Sequence, residues 1–239
     1  MINIENNFTN FHINQQKQKM IYLWYFYINK LLPKYRKFYE TLLPSEKSQV
    51  SKLVFHKDKE RFVISHGALR ELLLKHLPPE CLTKYEYNYF GKPYLKNSAL
   101  TFNLSHSNNV GVCILSYGIN IGVDVEYSRN INWQDIANHT LSRDEMSHIY
   151  AIKGETKKLN TIINIWTQKE AVAKAIGRGL SIPFTNITSS PCLGKHISFY
   201  TNSNKIEKWN VYSFLLNNHY FISAAYDYDN VSLSINELI

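Results

Sequence analysis

Apolar residues recur along this chain in two rhythms. Over Lys59–Leu77 (KERFVISHGALRELLLKHL) they return every three or four positions, and Pro78 and Pro79 follow at once, which predicts an amphipathic helix stopped by prolines. A second helical stretch covers Thr161–Ile176, with Gly177-Arg178-Gly179 as its stop. Elsewhere the period is two, or the run is unbroken. IYLWYFYI (Ile21–Ile28) reads as a buried strand, and TFNLSH (Thr101–His106) alternates sides before the turn residues Ser107-Asn108-Asn109. Val110–Ser116 and Ile119–Glu126 are two further strands separated by Tyr117-Gly118. After a polar turn-and-helix region from about residue 130 to 159, the strand pair Lys208–Leu215 and His219–Tyr226 turns at Asn217-Asn218.

The order of elements is loosely repeated, which predicts an α+β fold of two similar α/β halves with a cleft between them. The expected divisions are a loose tail over residues 1–19, a first half over 20–127 and a second over 128–239.

Composition narrows the picture only in part. With 44% hydrophobic and 14% aromatic residues in 239, the chain can bury a real core. Its longest apolar run is too short to span a bilayer, so no membrane partner is expected. The excess of 27 Lys and Arg over 19 Asp and Glu gives a formal charge of +8, which favours an anionic partner without choosing one. Cys81, Cys113 and Cys192 lack CxxC or zinc-ligand spacing, which argues against a secreted disulfide framework and makes the cytoplasm the expected compartment.

Three stretches carry chemistry. In IGVDVEY (Ile121–Tyr127) a strand puts Val123 and Val125 on one face and Asp124 and Glu126 on the other. Neighbouring carboxylates repel unless a cation neutralises them, and hard oxygen ligands in this number suit Mg2+ bridging to phosphates. A strand with one solvated face explains the pattern equally well. In WTQKEAVAK (Trp166–Lys174) a helix brings Trp166, Glu170 and Lys174 to one face with Lys169 beside it; an ordinary Glu/Lys pair accounts for that too. In FNLSHS (Phe102–Ser107), Ser105 and His106 are candidate anion contacts, His106 when protonated. A Ser-His nucleophile pair is disfavoured, because strand neighbours point to opposite faces and no Gly-x-Ser-x-Gly elbow is present.

Taken in order, FGKP (Phe90–Pro93), FNLSHS, IGVDVE and WTQKEAVAK, followed by Gly177-Arg178-Gly179-Leu180, resemble the Sfp-type 4′-phosphopantetheinyl transferases over about residues 21–228. The resemblance implies a pseudo-duplicated fold whose cleft binds coenzyme A and Mg2+. It implies transfer of the phosphopantetheine arm to a serine of an acyl or peptidyl carrier protein, releasing adenosine 3′,5′-bisphosphate. By the same resemblance Asp124, Glu126 and Glu170 are metal ligands and Glu170 is also the candidate base. Lys169 and Lys174 lie near the phosphates and reacting serine, Ser105 and His106 contact phosphate, and Lys92 helps hold the nucleotide. Lys47 and Arg61 are the expected cations for the 3′-phosphate and adenine, with Lys52 in place of Lys47 if the register shifts and Arg70 a further option. The joined halves imply a monomer, and no nucleic-acid partner is expected. The rival readings are a metal-dependent phosphodiesterase or nuclease, which lacks its usual acidic-x-Lys strand, and a non-enzymatic anion-binding module, which leaves the three acids unexplained.

Overall fold

The computed structural model describes residues 18–82, 84–129, 132–202 and 205–239. Most of the expected tail, residues 1–17, lies outside the described residues. The described residues open with β1 (Lys19–Tyr27), then the helices α1 (Ile28–Leu31), α2 (Tyr35–Thr41), α3 (Pro44–Lys52) and α4 (His56–Leu73). The short hairpin β2 (Glu86–Tyr87) and β3 (Pro93–Tyr94) leads to β4 (Leu100–Ser107), β5 (Val110–Tyr117) and β6 (Ile121–Tyr127). Helices α5 (Trp133–Thr140), α6 (Arg143–Ala151) and α7 (Glu155–Ile176) come next, and then β7 (Ile187–Thr188), β8 (Gly194–Asn202), β9 (Lys205–Leu216), β10 (Tyr220–Tyr226) and β11 (Val231–Glu237).

The α+β fold expected from the periodicity is the fold observed. One sheet has the order β11-β1-β5-β4 and a larger one the order β6-β10-β9-β8-β7. Their inner faces meet in a core where Ile21, Leu23, Val112 and Ile114 pack against Val123, Val125, Ile222 and Ala224. Helix α4 covers the outer face of the first sheet, its Val63, Ile64 and Leu72 in one cluster with Phe102 of β4, and α7 covers the second, its Ala171 and Val172 in one cluster with Trp209 and Val211 of β9. The two sheets exchange strands. β6 leaves the first sheet's hairpin and pairs antiparallel with β10, while β11 returns to lie parallel to β1, Lys19 opposite Val231 and Tyr25 opposite Glu237.

Local chemistry explains the turns. Asn217 and Asn218 both have positive φ, 50° and 60°, in the tight β9–β10 connection, and Asn is the side-chain-bearing residue that best tolerates this region. Helix α7 starts earlier than its apolar period suggests, at Glu155, because its polar first turn is not needed for burial. It ends where expected, with Gly177 as a left-handed C-cap at φ 80°.

Candidate active site

β6 is the last strand of its sheet, and its outer edge faces β4, the last strand of the other sheet. Alternate β4 side chains satisfy that edge: Asn103 Oδ1 accepts from Val123 N at 2.9 Å and Ser107 Oγ accepts from Tyr127 N at 3.1 Å. The same row reaches the acids, with Ser105 Oγ donating to Asp124 Oδ1 at 2.7 Å and Ser107 Oγ to Glu126 Oε2 at 3.1 Å. Period-two alternation therefore does what the sequence requires: the valines enter the inter-sheet core, and Asp124 and Glu126 face α7.

Helix α7 lies directly on the β6 backbone. Gly122 permits this, since a Cβ there would meet Ala171 O at 2.2 Å and Ala175 N at 2.4 Å. Beside that contact Lys174 Nζ donates to Asp124 Oδ1 at 2.6 Å and to Ser105 Oγ at 3.0 Å. Asp124, Glu126, Glu170, Lys174, Ser105 and His106 line one cleft of about 630 Å3, whose opposite wall carries Glu46, His66, Leu69 and Tyr85.

The electrostatics show three acids competing for little positive charge. Burial raises the Glu126 pKa to about 7, helped by the charges of Asp124 and Glu170 and opposed by Ser107 and Lys174. Burial likewise raises Glu170 to about 7, with Asp124 adding to the shift and Lys174 opposing it. Asp124 is 3% exposed, and its Oδ2 is buried without a hydrogen-bond partner. Among the described residues no three His, Cys, Asp or Glu side chains close into a metal cage. An open set nevertheless fits Mg2+, which keeps water ligands and takes one or two carboxylates together with substrate phosphates. The orphaned Oδ2 is the atom with most to gain.

The remaining expected residues divide. His106 lines the cleft, where desolvation and then the positive charge of Arg61, His66 and Lys174 lower its pKa. Arg61 stands outside that cleft, donating to Asn108 O and pairing with Asp58, in an adjoining hollow rimmed by His106, Ser107, Glu126 and Arg129.

Three of the expected lysines do not line that cleft. Lys169 is fully buried away from the cleft, where its Nζ pairs with Glu145 and donates to Thr140 O at 2.8 Å and Phe184 O at 3.1 Å. Burial presses its pKa down and Glu145 pulls it back up. One helical step of 100° separates it from Glu170, enough to turn it out of the site. Lys47 projects outward to Glu40 O, since its neighbour Glu46 takes the inward position. Lys92 points into a separate hollow of about 220 Å3. Arg70 donates to Leu82 O beneath the cleft wall.

The sequence reading missed the pair on the opposite wall. Glu46 Oε1 lies 2.8 Å from His66 Nδ1, and its Oε2 accepts from Leu43 N at the start of α3. The His66 ring stacks on Phe62 at 3.9 Å. Pro44-Ser45-Glu46 is a readable helix start, and Phe62 and His66 are one turn apart, but nothing in the sequence aims the two helices at each other.

Residues 120–225 match the sequence profile of the 4′-phosphopantetheinyl transferase superfamily, and that segment contains Asp124, Glu126, Glu170 and Lys174. The resemblance read from the motifs is thus met at the level of the superfamily. Among individual relatives, the chain is similar to the 4′-phosphopantetheinyl transferase HetI of Nostoc sp., 33% identical over 147 residues covering 59% of this chain and 62% of HetI. It is 37% identical over 110 residues to AcpT of Salmonella typhimurium, covering 45% of this chain and 56% of AcpT. With Sfp of Bacillus subtilis the identity is 24% over 151 residues, covering 62% and 66% of the two chains. The chain thus spans roughly three-fifths of HetI's length, 62%.

Proposed function

We propose that this protein is a 4′-phosphopantetheinyl transferase of the Sfp type, which moves the phosphopantetheine arm of coenzyme A onto a serine of an acyl or peptidyl carrier protein and releases adenosine 3′,5′-bisphosphate. The observation that carries the reading is the meeting of Asp124 and Glu126 on β6 with Glu170 and Lys174 on α7 in one cleft, inside the matched segment. The names of HetI, AcpT and Sfp support the same activity.

In this reading Asp124, Glu126 and Glu170 hold Mg2+. The chemistry a bound Mg2+ ion supplies is neutralisation of charge on the pyrophosphate oxygens. Glu170 takes the proton of the attacking serine hydroxyl. The serine oxygen bonds to the phosphorus nearer the pantetheine, and the bond from that phosphorus to the bridging oxygen breaks. Lys174, already 2.6 Å from Asp124 Oδ1, is the cation placed to meet the charge gathering on the departing bisphosphate. Ser105 and His106 orient the phosphates through hydroxyl and imidazole donors.

The two-half description over 20–127 and 128–239 remains part of this proposal, as do a monomeric state, a cytoplasmic location and carriers of secondary metabolism as the natural substrates. Among the described residues no helix is long and apolar enough to cross a membrane. The test is incubation with coenzyme A, Mg2+ and a panel of apo carrier proteins, read by mass spectrometry. A gain of one phosphopantetheine per carrier, lost in Asp124→Ala and Glu170→Ala, supports the proposal; no gain on any carrier, or normal turnover in both variants, sinks it.

A further inference from the structure

We propose that Lys92 is a brace and not a nucleotide ligand: it ties the first residue of β6 to the last turn of α7 and so sets the separation between Asp124 and Glu126 on one element and Glu170 and Lys174 on the other. Its effect on turnover rests on the transferase reading above, whereas the brace itself does not.

The β2–β3 hairpin is built to deliver two donors to the end of α7. Asn88 Oδ1 accepts from Phe90 N at 3.0 Å and from Lys92 N at 2.8 Å, which closes the turn with Gly91 at φ 87°. Gly91 lines the large cleft, Lys92 lines the smaller hollow, and Pro93 borders both. Its Nζ donates to Ile121 O at 3.0 Å and to Ala175 O at 3.1 Å. Asn88 Nδ2 donates to Gly177 O at 2.6 Å. Carbonyls in the last turn of a helix have no partner within the helix and carry its negative end, so a half-buried ammonium and an amide are suited to both. The fit is close: a Cβ on Gly177 would lie 2.9 Å from Asn88 Nδ2 and 3.2 Å from Lys92 Cδ.

Position makes the brace relevant to the acids. Ile121 is three residues before Asp124 on the same strand, and Ala175 directly follows Lys174 on the same helix. Gly122 fixes how closely the two elements approach, and Lys92 fixes that they stay together. Burial lowers the amine's pKa to about 8 while Asp227 opposes the shift.

The test compares the wild-type chain with Lys92→Met by hydrogen exchange, by calorimetric titration with coenzyme A, and by transfer kinetics. Exchange at the amides of residues 171–177 should rise by about 10-fold as the helix end opens locally. Turnover should drop by about 10- to 100-fold, the scale of a 1 Å misplacement, while coenzyme A affinity stays within about threefold. A loss of coenzyme A affinity of about 10-fold with exchange and kcat unchanged would make Lys92 a nucleotide ligand and overturn the brace; so would no change in any of the three. Should the wild-type chain transfer nothing, the transferase reading fails and exchange alone decides the brace. Asn88→Ala, which removes the hairpin's other tie, is read in the same way if Lys92→Met does not fold.

Discussion

Gly122→Ala tests the contact on which the site depends. The added methyl would stand 2.2 Å from Ala171 O, 2.4 Å from Ala175 N and 2.9 Å from Ala175 Cα, all main-chain atoms of α7. No rotamer change relieves a clash with backbone, so helix and strand must separate by about 1 Å, and overpacking of this kind costs about 3 kcal/mol, the upper end of the usual range. For a chain of this size that is a fall in Tm of roughly 6–12 °C. The same movement carries Glu170 and Lys174 away from Asp124, so transfer should fall by about 100-fold in protein that is still folded at the assay temperature. The two measurements are thermal unfolding by circular dichroism and carrier modification by mass spectrometry. A variant that melts within about 2 °C of the wild type and keeps its turnover would show that α7 does not rest on β6 as described.

Further predictions follow from the charges. Lys169→Met should cost about 3–5 kcal/mol in urea denaturation, because it strands the Glu145 carboxylate in the interior, and adding Glu145→Gln should recover part of that loss. Without Mg2+, stability should fall as pH rises from about 4.5 to 7: the unfolded carboxyls of Glu126 and Glu170 release their protons first, and the folded ones are held up at about 7. Allowing for partial solvent screening the effect is on the order of 1–3 kcal/mol in total, and Mg2+ should flatten it; a urea midpoint that rises over this interval would contradict the shifts. Lys47→Ala should leave coenzyme A affinity, measured by calorimetry, within about twofold, since an outward surface lysine contributes little.

What the sequence made legible was local. Alternation in Ile121–Tyr127 and the i, i+4 relation of Glu170 and Lys174 are properties of one strand and one helix, so the acids and their cation could be named before any fold was known. Lys169 shows the limit: the side facing the cleft is fixed by the rotation of α7 against α6, and that rotation depends on Glu145, in a different helix. Glu46 and His66 needed two helices brought together, and β11 needed a partner at the far end of the chain. The strand over Gly194–Asn202 escaped the reading because its exposed face carries Ile197 and Phe199, which blurs the alternation.

The exchange of β6 and β11 between the sheets bears on how the chain is made. During synthesis β1 emerges well before its neighbour β11, which follows the other described strands, and among the described residues β5 is the partner of β1 available in the meantime. Neither sheet can be completed from a contiguous stretch, so folding is dominated by contacts between distant residues, a topology that slows it. A fragment ending before Val231 leaves the β1 edge bare and open to pairing with another nascent chain. The finished protein should therefore melt in one transition, and residues 20–127 and 128–239, produced separately, should become soluble only when they are mixed.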